Sequence, residues 1–214
     1  MNEFLADVVF IGSGIYITLE LLFGGLSIGL ILGILAAILR YNEIGVFFIN
    51  RVISILRGSP LILQLSFIYF STPAVFGIKL SIISAGIISF GLNSFAYIAE
   101  ILRAGINSVP KGQFEAAKTL RIPNYYMWKD IILPQVFRNV FPAMVNEIIS
   151  LLKETALIST IGGMDIMRTS QTLAAQQFSY FVPLCIAGGY YYGLVLFIEY
   201  LGRKIEKRAL HVEN

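Results

Sequence analysis

Apolar residues gather in five long runs, at about 15–39, 60–76, 78–102, 140–161 and 181–201, with polar segments between them. A helix needs roughly 20 mainly apolar residues to cross a bilayer, so these runs predict an all-α, polytopic membrane protein of about five transmembrane helices. In the first run Gly24, Gly25, Gly29 and Gly33 recur at near-helical spacing, the pattern of a helix that packs closely on a neighbour. The second run is short and interrupted by Pro73, and it opens on Gly58-Ser59-Pro60, a break that starts a helix below the membrane surface. The whole of 1–214 reads as one transmembrane domain, with no internal repeat and no low-complexity tract.

The longest polar stretch, 103–135, predicts a loop with structure of its own. EAAKTL is a helix-forming run, and Arg121-Ile122-Pro123 interrupts it because proline cannot continue a helix and displaces its predecessor from the α region. PNYYMWKDIIL then reads as a second short helix opened by Pro123, and Pro134 forces another start. Two alanines permit close approach by another backbone, while Glu115, Lys118, Arg121, Lys129 and Asp130 keep the surface wet. Such a loop suits capture by a partner, and an ordinary linker of amphipathic helices is the competing reading. A second polar segment, 162–177, precedes the last run, and RKIEKRALHVEN forms a charged tail.

Composition agrees with the membrane reading. The 214 residues are 57% hydrophobic and 14% charged, with a mean hydropathy of +0.76, whereas soluble domains carry about 25% charged residues. The pI near 9.0 does not indicate nucleic acid, because the basic residues lie between apolar runs rather than in one patch. With the N-terminus outside, 13 of the 16 lysines and arginines fall on the inner side, within 40–57, 103–138 and 203–208. Lys79 and Arg168 fall outside and Lys153 lies within a run. Cytoplasmic loops carry the excess of basic residues, which places the N-terminus outside and the loop 103–135 and the C-terminus inside. The N-terminal stretch carries Glu3 and Asp7 before any basic residue, unlike a signal peptide.

No catalytic constellation or metal site is visible. Cys185 is the single cysteine, and the single histidine, His211, sits in the tail as a surface residue. The P-loop pattern is missing, so ATP and magnesium, if they drive transport, belong to another polypeptide. The informative polar residues lie inside the runs. Asn93, Tyr97 and Glu100 share one face of the third helix, and Asn146, Ser150 and Glu154 share one face of the fourth. A carboxylate at membrane depth is expensive and normally faces a cavity or a partner, so Glu154 points to the substrate path, with pairing to Lys153 or another helix as the alternative. Glu100 is expected to pair with Arg103. Gln64 faces either the path or a lipid-shielded helix flank.

The stretch from Glu115 to Pro134 resembles the EAA loop of the membrane subunits of bacterial ABC importers. Glu115, Ala116, Ala117, Ile131, Leu133 and Pro134 stand at the pattern's positions, and Arg121 occupies the place of its glycine. RGSPLILQLSFIYF and YIAEILRAGINSVPKGQFEAA are similar to the polar amino-acid permeases of that class. The resemblance implies a type I ABC-importer permease fold in the inner membrane. It also implies an ATP-binding cassette subunit that receives the loop at Glu115, Ala116, Ala117, Arg121, Leu133 and Pro134. A second permease subunit, identical or homologous, would complete the pore. An extracytoplasmic solute-binding protein would deliver a polar amino acid to Glu154, Ser150, Asn146, Asn93, Tyr97 and Gln64. The carboxylate of Glu154 favours a basic substrate. An ATP-independent channel or secondary carrier is the rival, but carriers usually show paired repeats and more helices.

Overall fold

The computed structural model describes residues 2–210, and among them the fold is all-α. His211 lies outside the described residues. The centre of the fold is a seam between α2 (Ile15–Tyr41) and α5 (Ile82–Asn107). Gly25, Gly29 and Gly33 of α2 rest on Phe90, Ser94 and Ile98 of α5. Both sets advance by four residues, so the two helices run parallel, and a side chain at any of the three glycines would collide with α5. A Cβ on Gly29 would come within 2.8 Å of Ser94 Cβ. The expected glycine packing is therefore present, and it names its partner helix.

Between these helices the chain makes α3 (Val46–Gly58) and α4 (Leu61–Phe76), bent by 103° at Ser59-Pro60. Ser59 is extended, as the residue before a proline prefers. Gln64 folds back over this elbow: its Nε2 donates to Leu56 O at 2.7 Å and to Ser59 O at 3.2 Å, satisfying carbonyls that the end of α3 leaves open. Pro73 does not break α4, because it sits inside the last turn, before the left-handed Gly77.

After α5 come α6 (Lys111–Thr119), the single turn α7 (Asn124–Tyr126), and a π-helical segment, Met127–Ile132, that runs directly into α8 (Leu133–Glu154). Two expectations are corrected here. The loop begins later than residue 103, since α5 continues to Asn107. The second short helix does not stop before Pro134. Leu133 N donates to Trp128 O five residues back, and this wide turn accommodates a proline that lacks an N–H and would crowd an α-helical carbonyl. The fourth apolar run likewise starts earlier than residue 140 and tightens to a 3₁₀ helix over Thr155–Ile161. In the third run 78–81 lie outside the helix, which is capped by Ser81 Oγ accepting from Ser84 N.

The chain ends with α9 (Ile166–Gln177) and α10 (Phe181–Leu210). Gly105 of α5 meets Val140 of α8, whereas Ser94 reaches Glu147 further along, so α8 is antiparallel to α5. Gly202 of α10 packs on Val145. The core is a cluster of Leu21, Leu65, Phe90, Leu151, Leu152 and Ile158. A helix absent from the sequence reading, α1 (Asn2–Gly12), sits at the opposite end from α6: Tyr190 OH of α10 donates to Val8 O at 2.9 Å, and Ile11 packs on Ile166 and Leu173 of α9.

Three helical stretches, Glu3–Tyr41, Ile82–Asn107 and Phe181–Lys207, are long and apolar enough to cross a membrane, and the bent pair α3–α4 reaches that standard together. α8 is less apolar because Arg138, Glu147, Lys153 and Glu154 lie on it.

Candidate functional site

Polar groups converge where α5 faces α8. Asn93, 5% exposed, donates from Nδ2 to Glu154 Oε2 at 3.0 Å. One residue on, Ser94 Oγ donates to Glu147 Oε1 at 2.9 Å. Glu147 is buried and Glu154 half-buried. Both carboxylates thus reach the same level of α5 from points seven residues apart on α8, a spacing that keeps them on one face. Among the described residues no lysine or arginine forms an ion pair with either, and Lys153 is exposed. Glu147 and Ser94 were missed in the sequence, although the spacing between Glu147 and Glu154 carried the signal. Ser150 is half-buried and Asn146 exposed on α8.

The remaining expected path residues stand elsewhere. The ring of Tyr97 lies under the Arg57 guanidinium, 5.2 Å from centroid to Cζ. Glu100 makes the expected contact with Arg103, at 2.8 Å, and also receives Arg40 at 2.7 Å, with Arg57 at 3.7 Å. Gln64 is occupied by the α3–α4 elbow through its nitrogen, while its Oε1 is buried without a partner. A cleft of about 450 Å³ opens between α5 and α8 beside Arg57, Tyr97, Ser108, Asn139 and Ala143.

The loop has its own small core: Val109, Ala117, Met127, Ile132, Val136 and Val140 are buried together, with Phe114, Ile122 and Trp128 around them. α6 ends where Ile122 N donates to Ala117 O and Arg121 N donates to Lys118 O, both at 3.0 Å. This double closure requires a left-handed residue between them. Arg121 takes that conformation at φ 55°, so the turn expected of glycine is kept by an arginine. Ala117 and Ile122 add the apolar contact that accompanies such caps. Glu115 and Ala116 are exposed, as are Arg121, Leu133 and Pro134. Ala117 faces inward at 2% exposure. The outer face also bears Leu120, Tyr125 and Tyr126, exposed by 72%, 67% and 52%, an apolar patch the sequence pattern did not single out.

Asp165, placed in the polar segment before the last helix, is fully buried. It caps α9 by accepting from Met167 N and Arg168 N, and it accepts from Tyr191 OH at 2.9 Å. Burial pushes its carboxyl above the ordinary value, and these donors pull it back.

The pattern described as "Binding-protein-dependent transport system inner membrane component" matches residues 29–211. The chain belongs to this family. The permease is 46% identical over 210 residues to a putative glutamine transport system permease protein of Rickettsia typhi, a match covering 97% of this chain and 96% of that one. It is 41% identical over 206 residues to the arginine transport system permease protein of Bacillus subtilis, covering 95% and 94%. The crystal structure of an amino acid ABC transporter with histidines shares its fold at a TM-score of 0.88 and 33% identity, over 95% of this chain and 96% of that one. The permease is accordingly a multi-pass inner-membrane protein of type I ABC-importer fold, a pore component rather than an enzyme.

Proposed function

We propose that this permease forms half of the translocation pore of an ABC importer and passes a cationic amino acid across the inner membrane along the face shared by α5 and α8. The observation that carries this reading is the pair of carboxylates, Glu147 and Glu154, held by Ser94 and Asn93, with no lysine or arginine among the described residues in an ion pair with either and only the exposed Lys153 acting on Glu154 at longer range. A carboxylate removed from water without a counter-charge is costly. A passing guanidinium, ammonium or imidazolium supplies that charge and binds by charge-assisted hydrogen bonds. Relatives are named for glutamine and for arginine transport, and of the two the carboxylate pair favours the cationic side chain. Asn146, Ser150 and Asn93 line this path, whereas Tyr97 under Arg57 and Gln64 at the α3–α4 elbow stand outside it.

The Glu154→Gln variant keeps the shape and removes the charge. Hydrogen bonds to charged groups contribute about 1.5–3 kcal/mol, so arginine, lysine and histidine uptake should fall about 10- to 100-fold, and glutamine uptake much less. Equal rates for all substrates in reconstituted vesicles would make the carboxylate structural.

Five crossings complete the reading: α2, α4 with α3 leading into it along the membrane surface, α5, α8 with its 3₁₀ end, and α10. The α6–α7 loop lies inside, where it docks on an ATP-binding cassette subunit that holds ATP and magnesium. A second permease subunit and an extracytoplasmic solute-binding protein complete the importer. The orientation rests on the inner excess of basic residues. In a Cys185→Ser background, a cysteine at Lys111 should react only with reagents that enter the cytoplasm, and one at the exposed Gln176 only with external ones. The reverse labelling would invert the topology. Asp165 does not suit as the outer reporter, because it is buried and caps α9.

A further inference from the structure

The corner where α2, α3 and α5 meet holds more positive charge than its own contacts neutralise. Arg40, Arg57 and Arg103 surround the single carboxylate of Glu100 at 2.7, 3.7 and 2.8 Å. Three guanidinium charges against one carboxylate leave two positive charges. Arg40 is largely covered, with 12% of its side chain exposed, but Arg57 and Arg103 keep 43% and 46% exposed. Two clefts of about 380 Å³ open beside them: one is lined by Arg40, Tyr41, Asn50, Arg103 and Asn107, the other by Arg40, Asn50, Ser54, Arg57 and Tyr97, with the Glu100 carboxylate on its wall as well. Each presents guanidinium and amide donors to whatever fills it.

The surroundings are those of a membrane surface. All three arginines stand at or near the ends of their helices, and Tyr41 packs edge-on against Trp128 of the loop at 4.7 Å. Amphipathic aromatic rings of this kind concentrate at the headgroup level. α3 packs inward through Ile53 and turns Phe47, Phe48 and Ile55 outward at 75%, 72% and 67% exposure. Arg51 lies over the Phe47 ring at 5.2 Å. Since α3 is bent by 103° from α4, a membrane-crossing α4 lays α3 along the interface, with apolar side chains in the acyl region and arginines at headgroup depth.

We propose that this corner is a binding site for the headgroup phosphate of an anionic phospholipid of the inner leaflet, gripped chiefly by Arg57 and Arg103. The inner leaflet follows from the orientation given under Proposed function; the site itself rests on the cluster, the clefts and α3. Arginine forks suit phosphate oxygens through paired N–H donors, and the outward phenylalanines of α3 supply the surface on which the acyl chains lie. Arg40, bonded to Glu100 on its covered side, anchors the cluster.

The test uses the full-length permease purified with its ATPase partner from phosphatidylcholine vesicles with and without phosphatidylglycerol. Lipid retained through detergent extraction is read by native mass spectrometry. Wild type should keep phosphatidylglycerol in preference to phosphatidylcholine. Arg57→Gln/Arg103→Gln leaves the Arg40–Glu100 bond intact and should lower that retention about 30-fold, since each basic residue near an anionic surface contributes about fivefold. Arg203→Gln/Lys204→Gln removes the same charge from α10 and should leave retention unchanged. If the double variant fails to fold, Arg57→Gln alone, which leaves both short bonds to Glu100 in place, should lower retention about fivefold. Equal loss in the α10 variant, or equal retention of phosphatidylcholine, would overturn the site. Displacement by inorganic phosphate would assign it to a soluble anion, and displacement by free arginine or glutamine would assign it to the substrate's carboxylate; either result rejects the lipid. The readout is bound lipid, so it stands whether or not Glu154 selects cationic substrates.

Discussion

Ala117→Arg is expected to strip the ATPase from the purified permease while leaving the membrane helices assembled. Ala117 is 2% exposed and packs with Met127, Ile132 and Val136 under the loop surface. Its carbonyl accepts from Ile122 N in the closure that ends α6. An arginine there overfills a packed site, which costs about 1–3 kcal/mol, and buries a charge with no partner designed for it, which costs more. The small loop core has little else to oppose that loss. α6 should therefore detach from α8, visible as fast hydrogen exchange over 111–132, with the main core around Phe90 and Leu151 still protected. Ala116→Arg provides the contrast. Ala116 is exposed, so its variant should weaken docking through surface contact alone, with normal exchange in the loop. Normal ATPase co-purification of Ala117→Arg would remove the loop from the coupling interface.

Gly29→Leu should prevent accumulation of folded permease altogether. The site for a Cβ lies 2.8 Å from Ser94 Cβ and 3.1 Å from Phe95 N, and the second is backbone that cannot rotate away. A leucine must therefore part α2 from α5 along the whole run that Gly25 and Gly33 share. Ser94 would be pushed off Glu147 at the same time, leaving a buried carboxylate short of its donor. Overpacking alone costs about 1–3 kcal/mol, and losing a hydrogen bond to a charged group adds about 1.5–3 kcal/mol. Together these approach the whole stability of many domains. Gly112→Ala, at a position with open space around its Cβ, should express normally. A monodisperse, wild-type-like elution of Gly29→Leu in detergent would refute the seam.

Much of this architecture was legible because the membrane imposes simple rules. Apolar length marked the helices, and the four-residue spacing of Gly25, Gly29 and Gly33 marked a close seam. Proline chemistry marked the break at Pro123, but not the continuous passage through Pro134. What escaped detection depends on partners distant in sequence. Asn93 with Glu154 and Ser94 with Glu147 are separated by 61 and 53 residues, and no local period records such pairs. Gln64 was ambiguous for the same reason, since its role depends on the fold of Leu56 and Ser59 behind it. Asp165 lay in a segment that read only as polar, because its caps and its Tyr191 contact exist only after α9 and α10 assemble. Arg121 marks a third limit: its side chain disfavours the left-handed turn, but the two hydrogen bonds around it and the packing of Ile122 on Ala117 hold the turn regardless.

The unbroken passage from the π-helical segment into α8 has a mechanical consequence. From Leu133 to Glu154 the helix has 22 residues, about 33 Å at 1.5 Å per residue. The segment that carries Trp128 joins it without a break, and Pro142 inside the helix is the one place where an interior proline weakens the backbone ladder. A rod of that length swings its far end by about 0.6 Å for every degree of tilt at its base. If α8 stays straight through Pro142, a tilt of a few degrees at its base suffices to draw the Glu154 carboxylate beyond hydrogen-bonding reach of Asn93.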